Sequence, residues 1–125
     1  MDIQQTEEFS LRWSDWYYWH DLIKDARSGG IIIPNKKSGV YEAKLDTSEE
    51  RLTIGRASDL RMRIRQGLLK GKAAHSSGDR IREYEDLSRV VVRWAETARP
   101  AAVEEELHRR YVEKHRSLPK YTKHT

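Results

Sequence analysis

Tyr41, Arg56, Arg63 and Glu104 are side-chain types that can handle a reaction at a charged oxygen. Tyr41 closes the triplet Gly39-Val40-Tyr41. A second triplet, Thr53-Ile54-Gly55, runs through Arg56-Ala57-Ser58-Asp59-Leu60 into a segment studded with Arg61, Arg63 and Arg65. A phenol titrates at about 10 on its own, so it works as a base at neutral pH only where cations lower that value; Arg56 and Arg63 are expected to supply that field. A guanidinium can also hold charge that grows on a phosphate. Downstream, Val103-Glu104-Glu105-Glu106-Leu107-His108 offers carboxylates. A lone carboxylate, completed by waters and substrate oxygens, is a reasonable Mg²⁺ site and a poor zinc site.

These segments together resemble the core of the GIY-YIG nuclease family, over about residues 38–122. The resemblance implies an endonuclease that hydrolyses phosphodiester bonds in DNA with Mg²⁺ or Mn²⁺. Tyr41 stands at the tyrosine of the first signature and is the implied general base. Gly55 matches the glycine that closes the second. Arg63 matches the helix arginine that stabilises the transition state, with Arg56 assisting, and Glu104 matches the acid that holds the cation. His75-Ser76-Ser77 is similar to a histidine-serine-serine stretch of phage homing members, which makes His75 a candidate for phosphate contact or proton transfer. Pro119-Lys120-Tyr121 looks like the closing Pro-x-Tyr segment. Two positions depart from the pattern: Thr53 replaces the second signature tyrosine, and Thr122 follows Tyr121 where the family often has Asn. Both departures suit an active variant in which Tyr41 or His75 is the base. They also suit a nucleic-acid-binding relative without catalysis.

Helical geometry sorts some of these candidates. Leu60, Ile64 and Leu68 define a buried stripe that Arg61 flanks at least as closely as Arg63, so family spacing alone selects Arg63. Arg61, Arg65, Lys70 and Lys72 are expected to contact DNA phosphates. On the last helix Val103, Leu107 and Tyr111 are expected to face inward. Glu104 then lies about 60° from the stripe centre at Leu107, Glu106 about 100°, and Glu105 on the far side. Glu104 is therefore the acid expected at the edge of the core face.

The elements that must position these groups follow from period and punctuation. The sequence predicts a helix from Trp13 to about Arg27, with Trp16, Trp19, His20 and Ile23 on one face, stopped by Ser28-Gly29-Gly30. Ile31-Ile32-Ile33 before Pro34 reads as an edge segment or connector. Alternating residues predict strands at 40–45 and 51–55, joined by Asp46-Thr47-Ser48-Glu49-Glu50, and the stretch RVVVRWAET reads as a third at 89–97. Helices are predicted from Ser58 or Asp59 to Leu69, over 79–86, and from Pro100 to about His115. The expected fold is α/β, with a small antiparallel sheet of about three strands flanked by helices, GIY-YIG-like, and an extra N-terminal helix. Residues 1–37 form an N-terminal helix and edge segment, and 38–125 the nuclease-like core, in one compact domain.

Charge and composition point the same way. Residues 1–60 carry 8 Lys and Arg against 11 Asp and Glu, and residues 61–125 carry 16 against 9. The basic second half suits a polyanion such as DNA. No apolar run approaches a membrane span, and the acidic start MDIQQTEEFS is unlike a secretory signal. The sequence contains no cysteine, which excludes disulfides and thiolate metal sites and fits a reducing cytoplasm.

Overall fold

The computed structural model describes residues 10–70 and 76–122. Its centre is an antiparallel sheet of four strands in the order β1-β4-β2-β3. Strand β2 (Gly39–Leu45) and strand β3 (Arg51–Ala57) form a hairpin that pairs Tyr41 with Gly55, with a shift in register between Ala43 and Lys44. Strand β4 (Val90–Glu96) lies on the other side of β2 and pairs Trp94 with Tyr41. All three coincide with the strands expected from the sequence.

The fourth strand corrects the sequence expectation. Tyr17–Tyr18 forms β1 and pairs with Val92 and Val91 of β4. The first helix, α1, therefore starts at Trp19 rather than Trp13 and ends at Arg27. Two effects explain the difference. Consecutive aromatics favour extended backbone, and β4 offers an edge with unpaired backbone groups. Ser14 extends the contact, donating its N–H to the Trp94 carbonyl at 2.8 Å and accepting the Trp94 N–H at 3.0 Å. Trp19 is buried as expected, but His20 is exposed and Trp16 lies outside the helix, against Arg93, Arg51 and Lys44. Ile31, Ile32 and Ile33 form no strand. Ile33 anchors the connector in the core while Ile31 and Ile32 are exposed.

Helix α2 begins as Leu60–Met62 and continues as a π-helical stretch, Arg63–Leu69. Asp59 caps it by accepting the Met62 N–H. The carbonyls of Lys37 and Pro34 take the N–H groups of Leu60 and Arg61. Helix α3 spans Ser77–Tyr84, two residues earlier than predicted, because Ser76 accepts the Asp79 N–H as its cap. Helix α4 spans Pro100–His115, as the proline and the apolar stripe predict.

The main core joins Trp19, Leu22, Ile33, Leu60, Ile64, Leu68 and Ile81 to Ala43, Val92 and Trp94 of the sheet. The N-terminal segment and the later elements thus share one core. Val40, Ala95 and Val103 form a smaller cluster, with Leu107 and Trp13 packed against it. No helix among the described residues is long and apolar enough to cross a membrane.

The edge position of β3 determines where a site can form. The Tyr121 and Lys120 N–H groups bond to the Leu52 and Arg51 carbonyls, so the closing segment covers the first half of that edge. The second half, at Gly55 and Arg56, borders a cleft.

Candidate active site

A cleft of about 1380 Å³ gathers Tyr41, Arg56, Arg63 and Glu104 from β2, β3, α2 and α4. Thr53, Gly55, Ser76, Ser77, His108, Tyr121 and Thr122 also line it. Residues far apart in sequence therefore meet at one concave surface beside the free edge of the sheet.

Tyr41 reaches the cleft because its cross-strand partner is glycine. A Cβ on Gly55 would stand 2.5 Å from both the Tyr41 Cζ and its hydroxyl oxygen. The ring lies over the bare backbone of the neighbouring strand, half-buried. Its phenol is pushed up from the ordinary tyrosine value. Burial is the main cause; Arg63 opposes it, and Glu104 adds to it. This corrects the expectation that arginines would lower the phenol. Arg63 does act in the expected direction, but desolvation is the larger effect, and Arg56 is not among the charges that move it.

The three alternating arginines have different environments. Arg61 donates its Nε to the Ile33 carbonyl at 2.8 Å. Arg65 donates to Asp25 at 3.2 Å and to the Gly30 carbonyl at 2.8 Å. Both tie α2 to the connector before β2, so the guanidiniums expected to contact phosphate are already engaged inside the fold. Arg63 is exposed at the cleft. Its stem crosses Gly67, where an added Cβ would meet the Arg63 Cδ at 3.0 Å. The π-helical hydrogen bonding of this stretch is a form that recurs at functional sites. Lys70 is exposed at the end of this helix. Lys72 and His75 lie outside the described residues.

Glu104 is half-buried and forms a loose pair with Arg56, Nε to Oε1 3.9 Å. Glu105 is exposed, and Glu106 is paired with Arg109 and Arg110. All three acids line the cleft; by exposure they separate as helical geometry predicts, and Glu104 is the half-buried one beside Arg56. Among the described residues, no group of three His, Cys, Asp or Glu side chains could hold a metal ion. The donor set fits a hard cation that keeps waters and takes substrate oxygens, as Mg²⁺ does, and not zinc.

Sequence reasoning missed two features. His108 is buried, and its Nε2 lies 3.0 Å from the Ile54 carbonyl, which fixes that nitrogen as the donor. It sits one turn beyond Glu104, and that i, i+4 spacing was the available signal. The second feature is a set of hydroxyls: Thr53 bonds to Ser77 at 3.1 Å and contacts Thr122 at 3.3 Å. Tyr121, in the closing segment, donates its hydroxyl to Glu85 at 2.6 Å, beside the Lys120 ammonium at 2.8 Å.

No family model, curated protein or solved structure matches the chain.

Proposed function

We propose that the protein is a divalent-metal-dependent DNA endonuclease of the GIY-YIG type. One observation carries the reading: the tyrosine, helix arginine and glutamate singled out by the resemblance line a single cleft. Phosphodiester hydrolysis needs a group to take a proton from water, a cation against the charge growing on the phosphate, and relief of charge on the leaving oxygen. Tyr41 fills the first role. Its raised phenol is overwhelmingly neutral at physiological pH, so turnover should climb as pH rises. Arg63, exposed and without the internal ties of Arg61 and Arg65, is the group free to stabilise the transition state, with Arg56 beside it. Glu104 would hold Mg²⁺ or Mn²⁺, which as a Lewis acid relieves charge on the leaving 3′-oxygen.

A second reading has its own support. The hydroxyl of Thr53, at the second tyrosine position, is engaged by Ser77 and Thr122 and is no substitute for a phenolate. That favours a relative that binds nucleic acid without cutting it. Nicking of supercoiled plasmid with Mg²⁺ or Mn²⁺ decides between the two. The wild type should nick, and Glu104→Gln should lower the rate by about 10²-fold or more. Glu105→Gln, on the exposed face, should be nearly silent. DNA binding without nicking in either metal would favour the second reading, and equal losses in the two variants would refute the role of Glu104.

A further inference from the structure

Three hydroxyls lining the cleft form a hydrogen-bond chain with one consistent direction. Ser77 Oγ donates to the Tyr121 carbonyl at 2.9 Å, and a carbonyl can only accept. Its single proton thus committed, Ser77 accepts from Thr53 Oγ1 at 3.1 Å. Thr53 then has no proton left for the 3.3 Å contact with Thr122, so Thr122 is the donor there. On its other side Thr122 Oγ1 receives the Ile54 N–H at 3.4 Å. What Thr122 retains is one lone pair. Its side chain is half-buried and lines the cleft with Tyr41, Arg63 and Glu104.

We propose that Thr122 Oγ1 is an acceptor-only group that positions a hydrogen-bond donor in the cleft; resting on the nuclease reading above, that donor is the hydrolytic water. The direction of the chain is what gives selectivity. A diester phosphate oxygen carries no proton and cannot bond to a hydroxyl that offers only a lone pair, whereas water can. Thr53 and Ser77 are positioning residues that act through Thr122 by holding its proton inward. The same geometry links the two departures from the family pattern. Thr53 and Thr122 touch, so the two departures lie in one hydrogen-bonded chain.

The test is steady-state plasmid nicking with Mg²⁺ by the full chain, with a thermal midpoint measured for every variant. Thr122→Val removes the acceptor, and Thr53→Val frees the Thr122 proton to point into the cleft. Each should lower kcat by about tenfold or more, as a misplaced reactant does, with KM for DNA within about twofold of wild type. Thr122→Ser restores the hydroxyl and should recover kcat to within about threefold. Full kcat in Thr122→Val overturns the inference. So does a loss confined to KM, which would make Thr122 a DNA contact. So does a Thr122→Ser variant as impaired as Thr122→Val with an equally lowered midpoint, which would make the role one of packing. A wild-type protein that does not nick overturns the nuclease reading and the water with it; a wild type that nicks alongside a fully active Thr122→Val overturns this inference alone.

Discussion

Gly55→Ala tests the contact that defines the cleft. The added methyl carbon would stand 2.5 Å from the Tyr41 Cζ and hydroxyl oxygen and 3.0 Å from Cε2. Ordinary carbon contacts are about 3.5–4.0 Å, so the ring or the strand must give by about 1 Å. Overpacking of that kind costs about 1–3 kcal/mol. Interpolating between smaller and larger domains, the thermal midpoint should fall by about 3–15 °C. The clashing atoms belong to the outer half of the ring, which leucine lacks. In a Tyr41→Leu background the same Gly55→Ala change should therefore cost less than about 0.5 kcal/mol, leaving a coupling energy of about 1–2 kcal/mol in a double-mutant cycle. Urea unfolding of the four proteins measures this without any assumption about activity. Under the nuclease reading the displaced phenol should also lower nicking by about 10²-fold. Additive costs in the two backgrounds would refute the claim that Gly55 is small to admit the Tyr41 ring.

Three further outcomes rest on the same fold. Arg63→Ala should cut kcat while leaving most DNA affinity and stability, whereas Arg61→Ala should mainly lower the unfolding midpoint, because it breaks the bond to the Ile33 carbonyl; paired kinetic and melting data check this, and a larger kcat loss for Arg61→Ala would reverse the assignment. The nicking rate should rise steadily with pH without levelling off in the neutral range, since burial holds the Tyr41 phenol above its ordinary value; a plateau in the imidazole range, lost in His75→Ala, would make His75 the base. Burial alone would raise the Glu85 carboxyl, but hydrogen bonds from Lys120 and Tyr121 outweigh it and hold the group below its ordinary, unfolded value. Its stabilising effect is present above that unfolded value and lost as pH falls through the lower folded one, so Glu85→Gln should narrow the gap in melting midpoint between neutral and acidic pH, and an unchanged gap would count against it.

Periodicity made much of this fold legible. Strands β2 and β3 alternate in residue type, β4 opens on the β-branched run Val90-Val91-Val92, and α2 and α4 carry apolar stripes bounded by Asp59 and Pro100, so local pattern and final structure agree. Strand β1 has only two residues, too few to show a period, and depends on the edge that β4 presents. On α4 the exposure of the acids follows helical geometry, with Glu105 exposed and Glu104 half-buried, but the centre of the stripe differs from the expected Leu107. Val103 and His108 are the buried residues, while Leu107 is half-buried. Histidine counts as polar in any pattern of hydrophobicity, and its burial here depends on the Ile54 carbonyl, a partner from another element.

The arginines show why the electrostatics were harder to read than the fold. In the sequence Arg61, Arg63 and Arg65 have the same chemistry and alternate along one helix. The partners of Arg61 and Arg65 are an aspartate and carbonyls between residues 25 and 33, distant in the chain and joined only by the fold. The basic excess of residues 61–125 is divided in the same way: Arg93 is drawn to buried Glu42, Arg109 and Arg110 pair with Glu106, and Lys120 pairs with Glu85. Glu85 and Glu106 are already counted against the excess, so these pairs decide where the positive charge stands rather than its sum. Arg63 and Arg56 differ because both line the cleft, and among the described residues their one ion pair is the loose contact between Arg56 and Glu104. Exposed pairs of that kind contribute little and exchange readily. Under the nuclease reading, an incoming phosphate would thus meet two guanidiniums that do not have to give up strong internal bonds to receive it, next to the half-buried carboxylate of Glu104.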